Sequence, residues 1–250
     1  MLSNSQIKRF RSLHIKKFRL EEKQFLIEGH RLIEEALKAK AQLLKIWCTE
    51  NYINTHRNFI GELDYLDSKW EITSKKSIEK VCESRNSQGV IALLPLPRPA
   101  EFNCDNQSVL LLDNISDPGN MGTILRTAEW FGVHDIVLSP NCVDPYNSKV
   151  VRSSMGAHFH INQIIQRELV EIILQLKQSG HIIIGADMSG TPLSEFTTPN
   201  KWALVLGNEA HGLSSEIQSL LDDRITIPKS GRIESINVAV AGGVILERLK

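Results

Sequence analysis

Three short stretches of this chain carry side chains suited to holding a ligand. The first, LLLDNISDPGNMGTILRTAEWFGV, runs from Leu110 to Val133 and contains Asn114, Asn120 and Arg126. The second, WALVLGNEAHGL, runs from Trp202 to Leu213 and contains Gly207, Asn208 and Glu209. The third, ITIPKSGRIESINVAVAGGVILERLK, runs from Ile225 to Lys250 and contains Ile227, Ser235, Ile236 and Asn237. In this last stretch a short strand and a Pro-Lys-Ser-Gly turn precede a helix expected from Ser235, a natural N-cap. Asn237 would then fall in the first turn, where backbone N–H groups point outward without intrahelical partners. The run Ala239–Gly243 has almost no side-chain bulk, so another part of the molecule must lie close against it. Two readings follow: a closing helix packed tightly on a sheet, or a helix start and turn shaped to hold a ligand through the backbone.

The elements that must carry these residues read as α/β. In the second half, VLLLD from Val109 is a near-continuous apolar run of the kind buried on both faces in a parallel sheet. A helix over 120–131, a strand over 135–139, helices near 148–155 and 167–178, strands over 181–186 and 203–206, a helix over 214–221, a strand over 225–227 and the final helix follow. The pattern predicts a parallel sheet with helices on both faces, where ligands bind at the carboxyl ends of the strands. All three stretches lie just after strands, at that edge. No GxGxxG follows the first strand, which argues against a nucleotide-type dehydrogenase.

The first half reads as a smaller α/β unit. Strands are expected over 25–27, 43–48, 70–72 and 89–94, with helices over 28–40, 51–60 and 74–84, the last capped by Ser74 or Ser77. Pro95-Leu96-Pro97-Arg98-Pro99 breaks regular structure. The boundaries drawn from these signals are an N-terminal domain over 1–97, a linker over 98–107 and a second domain over 108–250. A chain of 250 residues with 42% hydrophobic residues can bury two cores of this size.

The formal net charge is zero, yet the halves differ. Residues 1–103 hold 18 Lys/Arg and 13 Asp/Glu, a net of +5, and residues 104–250 hold 11 and 16, a net of −5. The excess is concentrated in Lys8, Arg9, Arg11, Lys16, Lys17, Arg19 and Lys23. Such a segment suits a polyanion such as RNA, and it equally suits a solvated helix face. A mitochondrial presequence is a third reading, because residues 1–20 contain no acid. No apolar run approaches the roughly 18 residues that span a membrane. Cys48, Cys82, Cys104 and Cys142 form no CxxC pair and read as reduced thiols of a cytoplasmic protein, with no metal site.

Taken together and in this order, the three stretches resemble the signature motifs of the SpoU (TrmH) family of RNA ribose 2'-O-methyltransferases, in the SPOUT superfamily. The residues that carry the resemblance are Asn114, Pro118-Gly119-Asn120-x-Gly122 and Arg126; Gly207-Asn208-Glu209 and Gly212-Leu213; then Ile227-Pro228, Gly231 and Ser235-Ile236-Asn237-Val238. Phe25 to Arg31, followed by Glu34-Glu35-Ala36-Leu37, is similar to the RNA substrate-binding domain of ribosomal-RNA members. The resemblance implies a SPOUT domain whose last segment threads a loop into a trefoil knot, S-adenosylmethionine as methyl donor, and a homodimer. It implies RNA as substrate, ribosomal RNA before transfer RNA. A non-catalytic RNA-binding or ribosome-assembly protein that keeps the fold is the alternative from another class.

Carried over residue by residue, the resemblance puts cofactor contacts on Gly207, Ile227 and Ile236, with Asn208, Glu209, Ser235 and Asn237 close by. Arg126 becomes the catalytic residue, and Asn114, Asn120, Glu209, Ser235 and Asn237 complete the polar set. On its own, an arginine beside the apolar face of this helix is more often a surface charge or half of a helix–helix ion pair. Asn120 is expected to cap helix 120–131 and aim Arg126, and Asn114 to meet the target ribose or its phosphate. A guanidinium stays protonated in proteins, so Arg126 is read as holding a phosphate beside the ribose. Lys149, Arg152 and His158 could contact RNA by charge and position. Ala210 and Lys229 depart from the family pattern, where glycine and an apolar residue are common.

Overall fold

The structure, a computed structural model, describes residues 1–65, 69–84, 86–98, 101–208 and 211–250. It divides into two compact units: one of residues 1–98 with 146–159, and one of residues 99–145 with 160–250.

The first unit begins with two helices, α1 (Asn4–Ser12) and α2 (Lys16–Glu22). Helix α1 opens with a capping box in which Ser3 and Gln6 satisfy each other's backbone N–H groups. Strand β1 (Gln24–Glu28) and helix α3 (His30–Lys38) follow, then β2 (Lys45–Cys48), α4 (Glu50–Thr55), α5 (Arg57–Tyr65), β3 (Trp70–Ile72), α6 (Lys75–Val81) and β4 (Val90–Pro95). The single helix expected over 51–60 is two, broken at His56. Ser74 is the cap of α6.

The strands form a sheet of order β1-β4-β2-β3, antiparallel except for β2 with β3. Period-2 alternation divides its side chains between two cores. Val90, Ala92 and Leu94 of β4 join Ile33, Tyr52 and Leu63 on one face. Ile91 and Leu93 join Phe10, Trp47 and Ile78 on the other. The basic first segment is therefore anchored: Ile7, Phe10 and Leu13 are buried in that second cluster.

In the second unit β5 (Ser108–Leu112), α7 (Pro118–Trp130) and β6 (Asp135–Leu138) come first. The chain then supplies α8 (Ser148–Ser153), which belongs to the first unit, where Val151 is buried among Phe25, Ile27 and Leu32. Back in the second unit are β7 (Gln163–Gln166), α9 (Leu169–Gln178), β8 (Ile182–Pro192), β9 (Trp202–Leu206), α10 (Ser215–Gln218), β10 (Asp223–Thr226) and α11 (Val238–Leu249). Strand β7 was not expected from the sequence. Its QIIQ has too few apolar residues to register as a strand, and it forms the sheet edge beside β6.

The sheet has the order β10-β8-β9-β5-β6-β7, with every neighbouring pair parallel. Strands β5 and β9 are buried along their length, as the apolar runs required. Val109, Leu111, Ala203 and Val205 share one core with Ile172, Ile173 and Leu176 of α9 and Ile217 of α10. Helices α7 and α11 pack against each other. A Cβ on Gly242 would lie 2.8 Å from Leu206 Cδ1, which explains why the closing helix lacks bulk there. Among the described residues no helix is long and apolar enough to cross a membrane, and no group of His, Cys, Asp and Glu could hold a metal ion.

Candidate active site

The strand order reverses between β5 and β9, and doubly wound sheets bind ligands at such a switch point, off the carboxyl ends of the strands. Asn114 follows β5 there and Asn208 follows β9. Asn208 Nδ2 donates to the Asn114 carbonyl at 2.9 Å, joining the two loops.

Asn114 stands in the left-handed region with φ 57°, a conformation Asn tolerates better than most residues. Its N–H donates to Ser139 Oγ at 2.9 Å and its Nδ2 to Asp113 Oδ1 at 2.8 Å. Asp113 is buried, and its other oxygen accepts the Ser214 N–H at 3.0 Å. A carboxylate can only accept, so it fixes which way the Asn114 amide faces. The nitrogen is turned to Asp113, and Oδ1 is the atom left to meet a donor. Cys142 seals the same turn, its Sγ accepting from Ile115 N–H and donating to the Leu112 carbonyl.

The second stretch closes on itself. Asn208 and Gly212 exchange backbone hydrogen bonds of 3.0 and 2.8 Å. A Cβ on Gly207 would lie 2.5 Å from the Gly212 carbonyl carbon and oxygen, so only glycine lets the two backbones approach this closely. Glu209, with its neighbour Ala210, lies outside the described residues.

Two expectations about caps are corrected. Helix α7 starts at Pro118, and its cap is Asp117, whose side chain accepts the Asn120 N–H at 2.8 Å. Asp as N-cap with Pro at the first helical position is the favoured order, since Pro lacks an N–H that would otherwise go unpaired. Helix α11 starts at Val238, and its cap is Asn237, whose Oδ1 accepts from Ala239 and Val240 at 2.9 and 3.3 Å. Ser235 and Ile236 are therefore not helical. They lie in the exposed loop that precedes the cap.

Asn120 and Asn237 do meet. Asn237 Nδ2 donates to Asn120 Oδ1 at 2.9 Å, so the two helix starts are tied together. Asn120 shares a helical stripe with Thr127, which lies against Gly243 of α11. Arg126 is about a third of a turn around α7 from Asn120. It is exposed, and among the described residues it makes no hydrogen bond or ion pair. The reading of Arg126 as one half of an ion pair thus finds no partner there.

Ile227 follows β10 at the same sheet edge and is partly buried, whereas Ile236 is 43% exposed. Among the described residues the backbone N–H groups of Ile227, Ser235 and Ile236 reach no protein acceptor. Open backbone donors beside apolar side chains suit a ligand with polar and apolar parts.

Of the residues set aside for RNA by position, Arg152 hydrogen-bonds Glu28, and His158 Nδ1 lies 2.7 Å from Ser154 Oγ. Both belong to the first unit and serve its packing. Asp113, Asp117 and Ser139 were missed. Asp117 could have been found from its place before Pro118, whereas Ser139 acts on Asn114 from 25 residues away and Asp113 is fixed by Ser214 although it locks its own neighbour Asn114.

A doubly wound sheet with hydrogen-bonded asparagines and a tight glycine turn at its switch point, and an exposed arginine on α7 with no partner among the described residues, defines an α/β protein with a ligand-binding edge. Residues 107–247 match the SpoU rRNA methylase family, and residues 4–92 match an MRM3-like substrate binding domain. The chain belongs to the SpoU rRNA methylase family. It is 32% identical to the 23S rRNA (guanosine(2553)-2'-O)-methyltransferase RlmP of Bacillus subtilis, over 99% of this chain and 96% of that one. A TrmH-family structure from Porphyromonas gingivalis superposes with a TM-score of 0.86 at 32% identity, covering 100% of this chain and 98% of that one. The AdoMet-bound rRNA methyltransferase of Sinorhizobium meliloti superposes with a TM-score of 0.84 at 25% identity, covering 100% and 95%. The protein is an RNA 2'-O-methyltransferase that uses S-adenosylmethionine.

Proposed function

We propose that the protein methylates a ribose 2'-hydroxyl of ribosomal RNA at the switch point of the parallel sheet, with residues 1–97 as the RNA-binding part and residues 108–250 as the catalytic part. The observation that carries this is the pair of locks around the site, Asp113 on Asn114 and Asn237 on Asn120. They hold polar side chains in fixed orientations at the edge where such sheets bind ligands. The match to an MRM3-like substrate binding domain supports ribosomal RNA over transfer RNA.

Gly207, Asn208, Glu209, Ile227, Ser235, Ile236 and Asn237 would hold S-adenosylmethionine, largely through the backbone. When bound it supplies a methyl group on a sulfonium, an activated donor. Arg126 holds a phosphate beside the target ribose with bidentate geometry. It cannot take the proton itself, since guanidinium remains charged. Asn114 Oδ1 would orient the 2'-hydroxyl by accepting its hydrogen in the resting complex. A phosphate oxygen held by Arg126 would be the final acceptor of that proton, with the donor supplying the methyl group and leaving as the neutral thioether.

The same reading makes the protein a cytoplasmic homodimer with the trefoil knot of its superfamily. Trp130 of α7 is 77% exposed, and Val240 and Val244 of α11 are 57% and 42% exposed. These are exposed apolar side chains on two helices that pack together, and a second copy would cover them. Calorimetric titration with S-adenosylmethionine tests the pocket, and methylation of unmodified ribosomal RNA against transfer RNA tests the substrate. A transfer-RNA-only result would reassign it.

A further inference from the structure

We infer that a cleft between α1 and α6 is a phosphate-tracking groove for RNA. The inference rests on the reading of RNA as the substrate and names where the first unit grips it. The cleft has a volume of about 520 Å³ and is lined by Asn4, Lys8, Arg11, Ser12 and Ile15 with Lys80. Positions 4, 8, 11, 12 and 15 recur at helical spacing, so they form one stripe of α1 continued into the turn after it. Lys80 joins them from the last turn of α6.

Several cations of α1, α2 and α6 have acidic partners. Arg9 pairs with Glu22 at 2.5 Å, Lys17 with Glu21 at 3.9 Å and Lys75 with Glu79 at 3.7 Å. Lys8, Arg11, Lys76 and Lys80 are exposed, and among the described residues none of them has an acidic partner. Of these, Lys8, Arg11 and Lys80 line the cleft. A second cleft of about 520 Å³ shares Arg11 and Lys80 and carries Glu79 and Glu83. Those acids are already engaged. Glu79 pairs with Lys75, and Glu83 accepts from Ser148 Oγ and lies 3.9 Å from His14.

Three like charges around one surface concavity raise the local positive potential, which favours an anion lying among them, while their mutual repulsion is small because all three are solvent-exposed. The groove is also pre-formed. Ile7, Phe10 and Leu13 hold α1 in the core with Trp47 and Val81, so the backbone that carries Lys8 and Arg11 is already ordered and only side-chain freedom is lost on binding. Ile15, 55% exposed, offers an apolar surface at one end for a ribose or base face. A row of cations beside an apolar step suits a nucleic-acid strand better than an acidic peptide.

The test measures binding of the full-length protein to a fluorescent, unmodified ribosomal-RNA transcript across a salt series. Lys8→Gln, Arg11→Gln and Lys80→Gln should each lower the slope of log affinity against log salt by about 0.7 to 0.9. The triple variant should lower it by about two and weaken binding at least about tenfold at low salt. Lys8→Arg and Lys80→Arg should bind as wild type. Lys75→Gln, which neutralises a paired lysine outside the cleft, should shift the slope by less than half as much as Lys80→Gln. Thermal midpoints and S-adenosylmethionine affinity should match wild type in all. An unchanged slope in the triple variant, an equal shift in Lys75→Gln, or no RNA binding by wild type would overturn the groove. Groove-dependent binding without methyl transfer would sink the catalytic reading and leave the groove standing.

Discussion

Asn237 does two jobs with one amide: its Oδ1 caps α11, and its Nδ2 donates to Asn120 Oδ1 at 2.9 Å. The jobs can be separated by substitution. Asn237→Asp keeps the capping oxygen and turns a second acceptor toward Asn120. Its melting midpoint should stay near wild type, while S-adenosylmethionine affinity falls about tenfold. Asn237→Ala loses cap and bridge together, at about 1 kcal/mol and a drop of roughly 2–4 °C. Calorimetry and thermal melts check both. Wild-type affinity in Asn237→Asp would show that the bridge positions nothing.

Asp113→Asn tests the lock on Asn114. An amide at position 113 can donate as well as accept, so it no longer dictates how Asn114 faces. The maximal rate should fall at least about tenfold with little change in S-adenosylmethionine affinity, since Asp113 acts through Asn114. Steady-state kinetics read the split. An equal loss in affinity and rate would point to general disruption of the loop.

Glycine substitutions on one face of the sheet should diverge. Gly207→Ala pushes a methyl to 2.5 Å from the Gly212 backbone and should abolish cofactor binding. Gly243→Ala meets Thr127 Cγ2 at an ordinary 3.5 Å and should stabilise α11 by up to about 1 kcal/mol. Thermal melts with and without S-adenosylmethionine distinguish the two.

The substrate-binding unit needs a piece of chain from beyond the linker. Val151 is buried in its core, and Arg152 hydrogen-bonds Glu28. Val151→Ala should cost about 2 kcal/mol. A fragment of residues 1–98 should lack the dispersed amide resonances of a folded domain. A well-folded fragment would show that 146–159 is dispensable.

The thiols give a pH dependence. Burial pushes Cys48 and Cys82 up to about 12 from 9.0. The folded state therefore holds these protons more tightly than the unfolded chain. That stability is fully present below about 9 and is lost as pH rises toward 12. Both should resist iodoacetamide at pH 8 in native protein and react on unfolding, as peptide mapping would read.

The motif residues and the sheet edge they occupy were legible in the sequence, because apolar runs mark buried parallel strands and each motif follows one. The caps were misread for a local reason. Ser235 and Asn237 are both good capping residues, as are Asp117 and Asn120 around the start of α7, and only the tertiary bond between Asn120 and Asn237 shows that Asn120 bridges while Asp117 caps. The role of Ser139 depends on a partner far along the chain, and Asp113 locks its neighbour Asn114 from a burial and a bond to Ser214 that only the fold supplies. The place of α8 was hidden in the same way, since Val151 looks like any helical core residue until its neighbours are known.

The most direct test is methyl transfer from labelled S-adenosylmethionine to unmodified ribosomal RNA, with transfer RNA and Arg126→Ala alongside. The expected result is label at a ribose of ribosomal RNA, resistant to alkaline cleavage and at least about a thousandfold slower to appear in Arg126→Ala. Label on a base, or an unchanged rate in Arg126→Ala, would contradict it.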